Sequence, residues 1–169
     1  MRATLLGLWV ALASACAWAQ TEPPTVSASG SAEVRKLPQS NGRVAVMGFC
    51  YGGPYAILGP KRLGYDAGIS CHGSQMLDYI GELEKLAKPV CIIWGDQDHQ
   101  APAEVLKAYR AAAARMKNLD LHIFPGVQHG YMMPEAKAFD QKTRDFSMER
   151  ALAILEGLRE AGAARRKAG

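Results

Sequence analysis

The sequence predicts an α/β domain built on about four parallel strands with flanking helices. From Arg43 onward, short runs rich in β-branched and aromatic residues alternate with longer stretches of helical periodicity. That alternation marks βαβ units feeding a parallel sheet. At 169 residues and 49% hydrophobic content, the chain can also bury one substantial core. No internal repeat breaks the pattern.

The chain opens with Arg2, the apolar run Leu5-Leu6-Gly7-Leu8-Trp9-Val10-Ala11-Leu12 and the small-x-small site Ala17-Trp18-Ala19. This is the build of a secretory signal peptide over residues 1–19, cut before Gln20, and the expectation is an exported protein, periplasmic or secreted. The run is too short to span a bilayer, so no stable membrane insertion is expected after cleavage. Cys16 sits near the cleavage site, but Ala13 stands three positions earlier where a lipoprotein site needs a leucine-like residue. Residues 20–42 are rich in Pro, Ser, Thr, Ala and Gly with no apolar period, and read as an N-terminal arm or linker ahead of a domain at 43–169.

Strands are predicted at residues 43–49, 67–71, 89–94 and 119–124, and helices at 54–63, loosely 77–86, 103–117 and 143–161. The third helix is the best marked. Pro102 suits its first turn, Glu104 favours its positive end, and Val105, Leu106, Tyr109, Ala113 and Met116 recur at helical spacing. The last helix carries Phe146, Leu152, Leu155 and Leu158, read as one face that docks on the sheet. The net charge of +4 is mild, and much of it comes from Arg165, Arg166 and Lys167. No aromatic residue interleaves that cluster, so it reads as a solvated tail and nucleic acid is not an expected partner.

Once the leader is removed, Cys50, Cys71 and Cys91 remain, an odd number that leaves at least one thiol free in an exported protein. Cys71 and Cys91 lie in or beside apolar strand-like runs and read as buried core thiols. Cys50 is different: Gly48-Phe49-Cys50-Tyr51-Gly52-Gly53 follows Val44-Ala45-Val46-Met47 and leads into Pro54-Tyr55-Ala56-Ile57-Leu58. A reactive side chain between glycines, where a strand turns sharply into a helix, is a nucleophile elbow with cysteine in place of serine. The strained turn needs neighbours without side chains that would clash.

Loops leaving the C-terminal ends of parallel strands open on one edge of the sheet. Cys50 follows the first strand, Asp98 the third, in Trp94-Gly95-Asp96-Gln97-Asp98-His99, and His129 the fourth, in Pro125-Gly126-Val127-Gln128-His129-Gly130. The chain order nucleophile, acid, histidine is the order of the elbow hydrolases. In that arrangement His129 takes the thiol proton, Asp98 orients His129 through the other ring nitrogen, and the backbone N–H of Tyr51 donates to an oxyanion. His72 reaches the same edge after the second strand and is, with Tyr131, a candidate for the pocket lining. Asp96 competes with Asp98 but also reads as a turn residue. The sequence holds no His-x-x-x-His pair on a helix and no Cys-x-x-Cys, so neither a metal nor another cofactor is expected.

Taken together, Gly48-Phe49-Cys50-Tyr51-Gly52-Gly53, Gly95-x-x-Asp98-His99 with Pro102 behind it, and Gly126-x-x-His129-Gly130-Tyr131 resemble the dienelactone hydrolase family from about Arg35 to the C-terminus. The resemblance implies an α/β-hydrolase fold with a Cys-Asp-His triad, carried here by Cys50, Asp98 and His129. It implies hydrolysis of a small-molecule ester or lactone through a thioester. Asp96 falls where relatives have glycine or another small or polar residue, so the resemblance makes Asp98 the acid. Family enzymes carry several strands and helices ahead of the elbow strand, where this sequence has a leader and an arm, so the expectation is a truncated α/β-hydrolase fold, the C-terminal half of the usual sheet. Met133 stands where dienelactone-cleaving members have an arginine for the substrate carboxylate, and this implies an uncharged ester or another lactone. An elbow strand without its earlier neighbours is an exposed edge open to self-association. The rival reading is therefore an inactive, truncated remnant that serves as a binding module.

Overall fold

The computed structural model describes residues 29–168. The leader at 1–19 and the first part of the arm lie outside the described residues. In chain order the elements are α1 (Ser29–Lys36), β1 (Ala45–Phe49), a 3₁₀ turn (Cys50–Gly52), α2 (Tyr55–Arg62), β2 (Ala67–Cys71), a 3₁₀ helix (Met76–Leu83), β3 (Val90–Gly95), α3 (Ala103–Ala113), β4 (Leu119–Phe124) and α4 (Gln141–Ala168). Among the described residues, no helix is long and apolar enough to cross a membrane.

The strands form one sheet in sequential order, every pair parallel. Phe49 is in register with Cys71, Cys71 with Ile93, and Ile93 with His122, so the C-terminal ends align along one edge. Both faces are covered, as a parallel sheet requires. Ile57 of α2, Leu83, and Val105, Leu106 and Tyr109 of α3 pack with Val90, Ile92 and Trp94 on one side. On the other, Met47, Ile69, Cys71, Cys91 and Ile93 meet Ala151 of α4, with Phe146, Leu155 and Leu158 partly buried beside them. Alternation along β3 divides its residues between the two cores.

The expected 20–42 arm carries helix α1 in its second half. Val34 packs on Val44, Val46 and Tyr65. Asp66 ties the stretch down, pairing with Arg35 at 2.8 Å and Arg43 at 2.9 Å while accepting the Val44 N–H. Burial alone would raise the Asp66 pKa, but those donors more than offset it and hold it below the ordinary carboxylate value. Where a loose helix was expected at 77–86, the chain forms a 3₁₀ helix bracketed by left-handed residues, Gln75 (φ 55°) and Lys85 (φ 59°). The last helix also departs from its predicted face. Leu152 is 60% exposed, because it falls outside the arc, set by 3.6 residues per turn, that presents Phe146, Ala151, Leu155 and Leu158 to the sheet.

Candidate active site

The elbow is built by close backbone approach. A Cβ on Gly48 would lie 2.0 Å from the Gly52 carbonyl oxygen, and one on Gly53 would lie 2.4 Å from Gly73 Cα. Only glycine fits either place. Cys50 itself sits in the left-handed region at φ 49°, a conformation L-residues adopt at a cost of about 1–2 kcal/mol. Its carbonyl is pinned from two directions, accepting the Gly53 N–H at 2.9 Å and the Ser74 N–H at 2.9 Å. The result is an exposed thiol on a fixed turn, while Cys71 and Cys91 are buried; all three are free.

Asp98 reaches the same edge through a contact between two loops. The Gln97 N–H donates to the Val127 carbonyl at 3.0 Å, and a Cβ on Gly95 would lie 1.9 Å from that oxygen. Glycine at position 95 therefore lets the β3 loop dock on the loop that carries His129. Asp96 completes the junction by accepting the Gly126 N–H at 2.8 Å, a turn-bracing role. The Asp98 side chain is fully buried. Its carboxylate oxygens lie 2.9 and 3.0 Å from His129 Nδ1, and Oδ1 also accepts the Gln100 N–H at 2.8 Å.

His129 thus stands between acid and thiol. Half-burial would lower its pKa, but the Asp98 carboxylate, which accepts from the ring, and then Cys50 more than compensate and hold it above the ordinary histidine value. The structure brings Cys50, Asp98 and His129 together. Tyr51, 43% exposed, follows Cys50 in the 3₁₀ turn, where first-turn N–H groups have no helical carbonyl to bond.

The two candidate pocket residues lie deeper than a lining position. Tyr131 is fully buried, its hydroxyl 2.9 Å from Ser147 Oγ on α4, and Ser147 in turn donates to the Thr143 carbonyl at 2.7 Å. Its polar end therefore points to the helix layer. Burial pushes the neighbouring Cys71 thiol up to about 12, with hydrogen bonds from Tyr131 and Ser147 opposing. His72 is 3% exposed, left-handed at φ 43°, and set edge-on to His129 with ring centroids 4.8 Å apart. His99 lies 5.2 Å from His129, a neighbour that no spacing rule marks. Both ring nitrogens of His72 are buried without a hydrogen-bond partner. The loop that carries it is anchored by Trp94 Nε1, which donates to the Gly73 carbonyl at 2.9 Å, and by the Tyr109 hydroxyl, which donates to the Met76 carbonyl at 2.8 Å.

Burial pushes the His72 pKa down to about 4, the nearby His129 charge pushes the same way, and Asp98 opposes. A depressed histidine pKa has a definite sign in stability. As pH falls from about 6.5 to 4, the unfolded chain takes up a proton that folded His72 refuses, so stability is lost across that window, by about 3 kcal/mol. His129, with its raised pKa, acts in the opposite sense in both proteins. In urea unfolding at pH 7 and pH 4, His72→Phe is expected to lose about 3 kcal/mol less than wild type on acidification. Equal losses in both proteins would show that His72 titrates normally.

A family model, the dienelactone hydrolase family, matches residues 17–158. Carboxymethylenebutenolidase 1 of Cupriavidus pinatubonensis is 32% identical over 126 residues, 75% of this chain and 53% of that protein. The carboxymethylenebutenolidase of Pseudomonas putida is 23% identical over 124 residues, 73% of this chain and 52% of that one. The chain spans about half the length of the curated relatives it matches. Among solved structures, a dienelactone hydrolase-like promiscuous phosphotriesterase from metagenomic libraries aligns with TM-score 0.63 at 21% identity, covering 78% of this chain and 59% of that one. An esterase of Pyrococcus furiosus aligns with TM-score 0.58 at 17% identity, covering 76% and 59%. These two likenesses show the shared α/β-hydrolase fold.

Proposed function

The chain belongs to the dienelactone hydrolase family, and from that premise we propose that it hydrolyses carboxylic esters or lactones, with Cys50 as nucleophile, His129 as base and Asp98 as the acid that orients it. The observation that carries the reading is the placement of His129, with Nδ1 at 2.9 and 3.0 Å from the Asp98 carboxylate oxygens and Cys50 near enough to help raise its pKa. Nδ1 bears the proton it donates to Asp98, which leaves Nε2 to take the thiol proton.

The thiolate attacks the acyl carbonyl, and the Tyr51 N–H, at the N-terminal end of the elbow turn, donates to the oxyanion. The carbonyl re-forms as the C–O bond breaks, and the leaving alkoxide takes the proton from His129 Nε2. The product of this half-reaction is a thioester on Cys50. Water, deprotonated by His129, then attacks the thioester, and the thiolate departs and recovers its proton. Met133 is 53% exposed and offers no charge for a substrate carboxylate, which supports an uncharged substrate. Export through residues 1–19 remains part of the proposal, on the strength of the leader motif alone.

One observation favours the second reading: among the described residues β1 has no strand on its outer side, and an open edge is a surface for pairing with another chain. A chromogenic short-chain acyl ester separates the two readings. Mixing it with the protein is expected to release a burst of product near one equivalent per active chain, with the acyl mass on the Cys50 peptide. No burst and no acylated Cys50 would leave the binding module.

A further inference from the structure

Away from the catalytic group, we propose that Cys91, Asp120 and His122 form a binding site for a zinc-class divalent cation at the β3–β4 edge of the sheet. Asp120 and His122 are two residues apart on β4, so strand alternation puts both side chains on one face. The register makes Asp120 the direct partner of Cys91 on β3. One ligand atom from each of the three lies within 4.8 Å of the others. Thiol sulfur, imidazole nitrogen and carboxylate oxygen are the donors that tetrahedral zinc accepts, and three of them leave the fourth position to water.

Arg150 and His122 divide the two oxygens of Asp120 between them. Both Arg150 nitrogens that reach Asp120 bond Oδ2. Oδ1 and the buried His122 Nε2 form an ion pair at 2.8 Å that lacks hydrogen-bond alignment. On binding, an ion replaces this pairing, and the two atoms part from 2.8 Å to the roughly 3.3 Å that separates ligands about 2.0 Å from a tetrahedral centre. Phe146 of α4 holds the His122 ring from the other side, with centroids 4.7 Å apart. Cys91 is fully buried, whereas the Asp120 and His122 side chains are 35% and 28% exposed, so an ion enters from solvent past the carboxylate and imidazole.

Arg150 is the opposing group, because its guanidinium, held on Asp120, puts a positive charge near the Cys91 sulfur. Its side chain is 38% exposed and can withdraw from the sulfur while keeping Oδ2, with the ion held by Oδ1, Nε2 and Sγ. On binding, the Cys91 S–H bond breaks, its electron pair becomes the sulfur–metal bond, and the proton leaves to solvent. Burial first, then Asp120 and Cys71, keep the thiol protonated without an ion; a bound cation reverses that preference. Occupied, the site ties β3 to the edge strand β4 and stabilises the fold by linkage.

Cobalt(II) chloride added to the purified full chain tests the proposal through its thiolate-to-cobalt absorption, with zinc chloride titrated in parallel by calorimetry. The expected result is one equivalent bound, a thiolate charge-transfer band, and a higher unfolding temperature. Cys91→Ser is expected to lose the band, His122→Gln to weaken binding by about 10-fold or more, and Cys50→Ala to leave both unchanged. Because His122 is partly exposed, His122→Gln reads out the site even if Cys91→Ser fails to fold. A band that survives Cys91→Ser but disappears in Cys50→Ala would put the ion on the elbow thiol and overturn the proposal. So would the absence of any band, or zinc affinity unchanged by His122→Gln.

Discussion

Replacing Cys50 with alanine is expected to abolish the acyl burst and lower kcat/KM for a short-chain ester by about 10⁴-fold or more, the scale on which loss of a nucleophile acts. The variant is informative because the backbone gives no other reason for such a loss. Cys50 is left-handed at φ 49°, and alanine meets the same steric penalty there as cysteine does. Its side chain is exposed, so little core packing is removed. Stability in urea is therefore expected to stay within about 0.5 kcal/mol of wild type. Cys50→Gly relieves the left-handed strain and is expected to be more stable by about 1 kcal/mol, yet equally inactive. Such a gain on losing the side chain would mark strain stored at a working site rather than a poorly chosen residue. Equal burst amplitudes in wild type and Cys50→Ala would end the proposal that this thiol carries the acyl group.

The fold was legible where the chemistry is local. Strands β2 and β4 span the residues that the alternation predicts, 67–71 and 119–124, because each is a short apolar-rich stretch set between turn residues and helical segments. The elbow was legible because two glycines flank a reactive residue directly after a strand. What escaped depends on contacts between distant segments. Leu152 matches a loose helical spacing, but which arc of α4 meets the sheet follows from how the helix docks. Tyr131 follows the histidine loop and reads as a pocket residue, yet its hydroxyl turns to Ser147, sixteen residues later on α4. The resemblance already chose Asp98 over Asp96; what the sequence could not show is the seam between the two loops, where Gly95 admits the Val127 carbonyl and Asp96 braces the turn. Cys91, Asp120 and His122 are unremarkable in spacing. Only the β3–β4 register brings a residue at 91 opposite one at 120.

Asp98→Asn tests how the acid acts, and it is expected to lower kcat by about 10⁴-fold, the scale on which loss of a triad carboxylate acts. The carboxylate does two things that an amide cannot. On the proposed mechanism it accepts the Nδ1 proton at its two oxygens, 2.9 and 3.0 Å away, and so keeps the tautomer that leaves Nε2 to act as base. Its charge also works against the desolvation of a half-buried ring and, with Cys50, raises the His129 pKa above its ordinary value. The sign for catalysis follows from that direction. On the same proposed mechanism, the imidazolium that protonates the leaving alkoxide persists to higher pH when Asp98 is charged, so in Asp98→Asn the descending, alkaline limb of the rate profile is expected to move to lower pH. The same linkage acts on stability. The contribution of the pair is present in full below the unfolded histidine value near 6.5 and is lost as pH rises through the elevated folded value. Histidine proton resonances followed through a pH titration give the readout that a merely structural role would not move: His129 is expected to titrate lower in Asp98→Asn than in wild type. An unchanged His129 titration together with an unchanged rate would exclude Asp98 as the partner of His129. An unchanged titration with a lost rate would assign Asp98 to holding the ring in place, without a part in setting its protonation.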